Sequence, residues 1–456
     1  MNKHRNNIIR GLTLVMTVFM IMTLSPIYAN DGADSYDPPE IQYAQAAYLY
    51  NFENDCVLLD YNSSTKVYPA STVKIMTAIV AFDVFGDNLD REITVTQSML
   101  DEVNGNKIGF QAGEVITVRQ ALSCMLVNSA NDAAIILAHA AAGSTEKFVS
   151  LMNQKASEIG AYDTYYTNPT GMHNDAMVTT AKDTATISIY AYAIPGLIDM
   201  TSTPKYVMSE TNLSDYRNIY NRNSLLSNYY NAGYYYTGTL GLNAGATTQG
   251  GYSISAIAED AENGLTYLAV VLGAEENDGG IYSYKNAIEM FDWAFDAYGY
   301  RTVLSNDKMV CELPVNLSST LDYVTLIPSQ NITVYLPMSI NLDKEIRYSY
   351  NTYEESLDAP VSGGQEVGTI TVLYGDKILG SCSLITTSSV TRSEFLYFLA
   401  RVKNFTDSRL FHGTIAGIIF FSVAYILINA AAREKKLRRS YKSYKSYRGY
   451  RGYRKK

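Results

Sequence analysis

The feature that most constrains this chain is a run of twenty residues, Gly413 to Ala432, that carries no formal charge. At a rise of about 1.5 Å per residue the run matches a hydrocarbon core of about 30 Å, so as a helix it crosses a bilayer once. Arg433, Lys435, Lys436, Arg438 and Arg439 follow at once, and an excess of Lys and Arg beside a spanning helix marks its cytoplasmic flank. A buried core helix is the alternative, and the abrupt basic flank disfavours it. At the other end Lys3, Arg5 and Arg10 precede the apolar stretch Gly11 to Leu24, and Ser25 to Ala29 supplies small residues for cleavage. That order of charge, apolar core and cleavage site predicts a secretory signal peptide over residues 1–29. An uncleaved anchor is the other reading, although its apolar core is short for a span. Both readings export the body of the chain.

Charge separates the ends from the middle. The net charge is −9, yet residues 433–456 carry twelve Lys or Arg against one acidic residue and residues 1–10 carry three basic ones. Taking the ends away leaves −23 on residues 11–432, and so acidic a body does not suit nucleic acid, whose phosphates need a basic surface. The tail, residues 433–456, places Tyr441, Tyr444, Tyr447, Tyr450 and Tyr453 at period three between basic residues. Its composition suits an arm held to anionic lipid headgroups, with nucleic-acid or protein docking as the alternative.

Between the ends, residues 30–43 are acidic and Pro-containing and read as a linker. A first domain over 44–300 mixes helix and strand. Ala70 to Phe85 is an almost unbroken apolar helix, and Ala121 to Ala142 forms two helical pieces around a polar kink at Asn128 to Asp132. Tyr252 to Ala258 and Thr266 to Leu272 read as strands, the second apolar and β-branched enough for a core. Ser283 to Tyr298 is an amphipathic helix, with Ile288, Phe291, Phe295 and Tyr298 on one face. Helical periodicity then gives way to alternation, as at Ile332, Val334 and Leu336, predicting hairpins in a small β domain over 301–392. Residues 393–412 connect it, as a stalk, to the spanning segment 413–432. Cys56, Cys124, Cys311 and Cys382 sit in an exported chain, where disulfides and buried thiols are both open.

Four histidines leave little for a Ser-His-Asp triad or a zinc site. His4 and His412 lie at the membrane ends; His139 in an Ala-rich helix and His173 in a turn read as structural. Lysine can replace histidine as a base when burial or a nearby cation lowers its proton affinity. Ser71-Thr72-Val73-Lys74 offers such a pair, since residues three apart share a helix face. The same spacing recurs at Ser63/Lys66, Ser144/Lys147, Ser202/Lys205 and Ser305/Lys308. Ser71 differs in opening a helix that is apolar from Ile75 onward, where the Lys74 stem would be buried and helix-terminal N–H groups would face an oxyanion. Ser129-Ala130-Asn131, in the kink, could pass a proton and hold a peptide; read alone it is a helix cap.

The ordered motifs PASTVKIMTA (Pro69 to Ala78), NSANDAA (Asn128 to Ala134), NPTGMHNDAMVTTAKD (Asn168 to Asp183) and NRNSLL (Asn221 to Leu226) resemble those of the serine D-alanyl-D-alanine carboxypeptidases, the low-molecular-weight penicillin-binding proteins. The likeness extends over residues 44 to 390, because the β domain also looks like that family's C-terminal module. The resemblance implies an α+β penicillin-recognising fold, an antiparallel sheet with a helical subdomain, and a cell-membrane location in a bacterium. It implies Ser71 as acylated nucleophile, Lys74 as general base, Ser129 and Asn131 as the second motif, and Arg222 near the terminal substrate carboxylate. It also implies peptidoglycan stem peptides as substrates and β-lactams as covalent inhibitors, with no metal and no cofactor.

The third motif departs from the family. Where the family has Lys-Thr-Gly-x-Thr, this chain reads Asn243-Ala244-Gly245-Ala246-Thr247, without the ammonium and the first hydroxyl. A hydrogen bond to a charged group contributes about 1.5–3 kcal/mol, so losing the Lys weakens transition-state binding roughly ten- to a hundredfold, and Lys74 loses a neighbouring cation that would favour its neutral form. Asn243 still donates, and the Ala246 N–H can complete an oxyanion hole with that of Ser71. Two readings follow: a membrane-anchored D,D-carboxypeptidase, or an impaired or inactive relative that binds wall peptides. A β-lactamase would need a deacylating carboxylate for which no motif stands between Ser129 and Asn243.

Overall fold

Leu265–Ala274 is buried at every position, which requires a strand covered on both faces. The computed structural model describes residues 36–449, with side chains through residue 442. The expected signal peptide, residues 30–35 of the linker and the end of the tail lie outside the described residues. The chain forms two compact units, one running through Arg301 with Tyr335–Ile340, the other comprising Thr302–Val334 and the residues from Asn341 onward.

In the first unit the elements that frame the site run β1 (Ala46–Asn51), β2 (Cys56–Tyr61), α1 (Val73–Phe85), α2 (Val118–Asn128), α3 (Asn131–Ala142), α4 (Ala181–Tyr192), β3 (Thr239–Thr247), β4 (Gly251–Asp260), β5 (Leu265–Ala274) and α5 (Tyr282–Ala297), with shorter strands and helices and the helix Thr145–Glu158 between them. The five strands form one antiparallel sheet in the order β2-β1-β5-β4-β3. Strand β5 sends Leu268, Val270 and Leu272 into one core and Tyr267, Ala269 and Val271 into another, the period-two consequence of the pleat. The first core holds α1 to α4; the second holds Ala287, Met290, Phe291 and Ala294 of α5. Helix α1 is buried from Val73 to Ala81 because helices and sheet enclose that stretch. Truncating its Ile79, fully buried, to Ala would cost about 2–5 kcal/mol.

Two chain reversals shape the centre of this unit. A 3-10 turn, Ala70–Thr72, leads into α1, with Ala70 at φ +50°. Helix α2 starts from a Thr117/Gln120 capping box and stops at Ser129, whose φ of +55° and ψ of +40° are left-handed. Such a conformation costs a residue with a Cβ about 1–2 kcal/mol, and Asn131 then restarts the chain as α3.

In the second unit β6 (Cys311–Asn316), β7 (Tyr323–Pro328), β8 (Ile346–Thr352), β9 (Leu357–Asp358), β10 (Glu366–Tyr374) and β11 (Lys377–Thr386) form a sheet ordered β8-β10-β11-β7-β6-β9. Val324, Leu326 and Pro328 of β7 alternate inward, as a one-sided sheet requires. Within the stalk, Glu394–Thr406 is a helix, α6, capped by the Ser393 side chain. Its Phe395, Phe398, Leu399, Val402 and Phe405 are exposed at helical spacing. Arg409–Gly449 then forms a single helix, α7, in which the segment over Arg409–Lys442 is long and apolar enough to cross a membrane. No disulfide joins the four cysteines.

Candidate active site

Ser71 sits on the 3-10 turn and Lys74 on the first turn of α1, where the surrounding core leaves the Lys74 side chain 1% exposed. The amine donates to the Thr170 carbonyl at 2.5 Å, and one turn further on Thr77 Oγ1 donates to the Pro169 carbonyl at 2.7 Å. The turn from Asn168 to Gly171 is held by Asn168 Oδ1, which accepts from the Thr170 and Gly171 N–H groups. Gly171, at φ +80°, has no alternative, because a Cβ there would strike the Ala70 carbonyl. Among the described residues the Lys74 amine has this backbone carbonyl as its hydrogen-bond partner and makes no hydrogen bond with Ser71. A neutral amine donating one N–H keeps its lone pair free for a hydroxyl proton.

Burial, first, and the positive charge of Arg222, second, push the Lys74 amine down from 10.5 to about 7. Taking an ammonium out of water disfavours the charged form, and a like charge adds to it. No cation from the third motif is needed for that depression.

A cavity of about 170 Å³ opens over Ser71, and Ser129, Asn131, Arg222, Gly245, Ala246 and Thr247 share its walls. Lys74, buried, does not line it but bonds to the carbonyl of Thr170, which does; Asn243 is 2% exposed and absent from the wall. The Ser129 hydroxyl is buried without a hydrogen-bond partner among the described residues. Asn131 Nδ2 donates to the Asn104 carbonyl at 2.6 Å, and the Asn131 N–H to the Asn106 carbonyl at 2.7 Å. Asp132 fastens the same loop by accepting from the N–H groups of Ile108, Gly109 and Phe110.

Asn106, which sequence reasoning missed, ties three parts together. Its amide donates to the carbonyls of Asn128 and Ser129, at 2.6 and 3.2 Å, while its Oδ1 accepts from Arg222 Nη2 at 3.0 Å. The one local signal was the Asn104-Gly105-Asn106 turn, and Gly105 stands where a Cβ would lie 2.9 Å from Asn131 Nδ2.

Strand β3 forms the edge of the sheet beside the nucleophile. A Cβ on Gly245 would overlap Ser71 Oγ and lie 2.6 Å from Ser71 Cβ, so only glycine allows this approach. Asn243 pairs in register with Ser255, which meets Ser188 hydroxyl to hydroxyl at 2.7 Å, and the Asn243 Oδ1 has no partner among the described residues. His139 meets Glu102 at 2.8 Å and His173 meets Asp175 at 3.0 Å; neither histidine lines the cavity. The tyrosines of residues 229–236 do not line it either.

Residues 33–276 match the family model described as D-alanyl-D-alanine carboxypeptidase, and residues 298–392 match that of the penicillin-binding protein 5 C-terminal domain. D-alanyl-D-alanine carboxypeptidase DacF of Bacillus subtilis is 25% identical over 400 residues, covering 86% of this chain and 97% of that protein. DacB2 of Mycobacterium tuberculosis, another D-alanyl-D-alanine carboxypeptidase, is 29% identical over 255 residues, 55% of this chain and 82% of the other. Penicillin binding protein 5 from Haemophilus influenzae shares the fold at a TM-score of 0.54 and 23% identity, over 78% of this chain and 100% of that one. The Streptomyces K15 DD-transpeptidase aligns at 0.51 and 26%, over 57% of this chain and 99% of its own.

Proposed function

Because the chain belongs to the serine D-alanyl-D-alanine carboxypeptidase family, we propose that it removes the terminal D-Ala from peptidoglycan stem peptides through an acyl-Ser71 intermediate. The neutral Lys74 amine takes the Ser71 proton as Oγ attacks the penultimate D-Ala carbonyl. The C–N bond breaks, the proton reaches the leaving amine by way of Ser129, and water then hydrolyses the Ser71 ester to the shortened peptide acid. Arg222 receives the terminal carboxylate, and Asn131 holds the peptide. Gly245 lets β3 run beside the nucleophile, while Ala246 N–H and Thr247 line the oxyanion and carboxylate side. The observation that carries this reading is the fully buried lysine, brought to about 7, three residues from Ser71 and bonded to Thr170, both of which wall the cavity with Arg222.

The expected setting is the cell membrane of a bacterium. Helix α7 spans it, the catalytic unit lies outside, and the basic tail meets lipid inside. β-Lactams are the expected covalent inhibitors, and nucleic acid is not an expected partner. Release of D-Ala from an N-acylated pentapeptide by the full-length protein, lost in Ser71→Ala, tests the assignment. The orphaned Asn243 amide favours one second reading, a wall-peptide binder with impaired catalysis; peptide binding without D-Ala release would establish that one instead.

A further inference from the structure

Arg222 is held in an unusual way for a guanidinium beside a buried site. Among the described residues it has no carboxylate partner: Nη2 donates to the Asn106 amide oxygen, and the guanidinium carbon lies 4.5 Å from the centre of the Tyr230 ring. The Tyr230 hydroxyl accepts from Asn128 Nδ2 at 2.8 Å, and Asn128 is the residue whose carbonyl accepts from Asn106. Arg222, Tyr230, Asn128 and Asn106 thus form a closed ring of contacts beside the second motif. Tyr230 is backed in turn by Tyr229, edge to face at 5.0 Å, and Tyr229 stacks on Tyr220 at 3.7 Å with the rings 3° from parallel.

A carboxylate in place of these groups would hold Arg222 as firmly but cancel its charge. An amide oxygen and an aromatic face restrain a guanidinium while leaving its full positive charge for a ligand. Tyr230 does not line the cavity, so it reaches a ligand through its ring on Arg222 or through its hydroxyl on Asn128, and Tyr230→Phe separates the two. We propose that Tyr230 is the positioning residue that fixes Arg222 beside the cavity as an un-neutralised cation for the carboxylate terminus of the substrate. The proposal rests on the functional reading above for the identity of that carboxylate.

The test is equilibrium binding to full-length protein in a Ser71→Ala background, which removes turnover from the measurement. The probes are an N-acylated D-Ala-D-Ala peptide and its C-terminal carboxamide. Expected is a preference for the acid over the amide that falls about tenfold in Tyr230→Leu and survives in Tyr230→Phe, which keeps the ring. An unchanged preference in Tyr230→Leu overturns the proposal, as does equal weakening of both peptides, the mark of a merely structural role. Should Tyr230→Leu melt well below its parent, Tyr230→Met, which retains the bulk without the ring, takes its place under the same criteria. Ser71 labelling by penicillin in the otherwise wild-type chain is read separately: its absence defeats the catalytic reading and leaves the acid-to-amide comparison valid.

Discussion

Acylation of Ser71 depends on a Lys74 that has already lost its proton, so its rate should follow a single ionisation near pH 7. Burial and Arg222 bring the amine from 10.5 to about 7. At pH 5, two units below, about 1% is neutral, and labelling by a fluorescent penicillin should run about a hundredfold below its plateau above pH 8. An ordinary lysine would be only about 0.03% neutral at pH 7, with a limb beyond 10. Removing the second cause, in Arg222→Gln, moves the limb to higher pH. The same shift governs stability. The unfolded chain binds this proton below 10.5, the folded one only below about 7, so between them the unfolded state holds more proton and stability rises with pH. The penalty is largest below pH 7, about 5 kcal/mol at 1.36 kcal/mol per pH unit, and it vanishes above 10.5. Lys74→Met abandons the Thr170 carbonyl at a cost of about 1–3 kcal/mol. At pH 6 it should therefore still be about 2–4 kcal/mol more stable than wild type, an advantage gone by pH 10. Second-order labelling rates from pH 5 to 9 and urea melts at pH 6 and 10 measure both effects. A flat rate profile, or a limb near 10, refutes the reasoning.

Other outcomes follow from the same geometry. Gly245→Ala puts a methyl against Ser71 Oγ and 2.6 Å from its Cβ; labelling should fall at least a hundredfold, since a misplacement of about 1 Å is enough for that, while the thermal midpoint moves by a few degrees. Labelling at the wild-type rate would show that the strand does not sit beside the nucleophile. Ser129→Gly removes an unpartnered buried hydroxyl and relieves a left-handed backbone. It should melt no lower than wild type yet label about 10²- to 10⁴-fold more slowly; unchanged labelling would remove Ser129 from proton transfer. If Asn243 stands in for the lysine of the third motif, as proposed, Asn243→Lys should speed labelling roughly ten- to a hundredfold, and an equal or slower rate would contradict that assignment.

Much of this was readable in the chain because burial leaves a local trace. Of the Ser-x-x-Lys pairs, the one at Ser71 entered an apolar helix, and the structure buries Lys74 while Lys66 remains exposed in an ion pair with Asp163. The kink at Asn128 to Asp132 was visible as polar residues between apolar helices, and the left-handed Ser129 is its cause. The Arg222 clamp was not readable: Asn106 and Arg222 are 116 residues apart, and Asn128 and Tyr230 are 102 apart. The amine's choice of the Thr170 carbonyl over Ser71 depends on how the Asn168 turn folds against α1. That the stalk residues hold a helix was not read from the sequence, although α6 presents its apolar residues on one face.

Intact mass spectrometry of the full-length protein incubated with penicillin tests the central claim most directly. The account predicts one added penicillin mass on the wild-type chain, mapped to the peptide containing Ser71, and none on Ser71→Ala. A wild-type chain of unchanged mass, or an adduct that persists in Ser71→Ala, would contradict it.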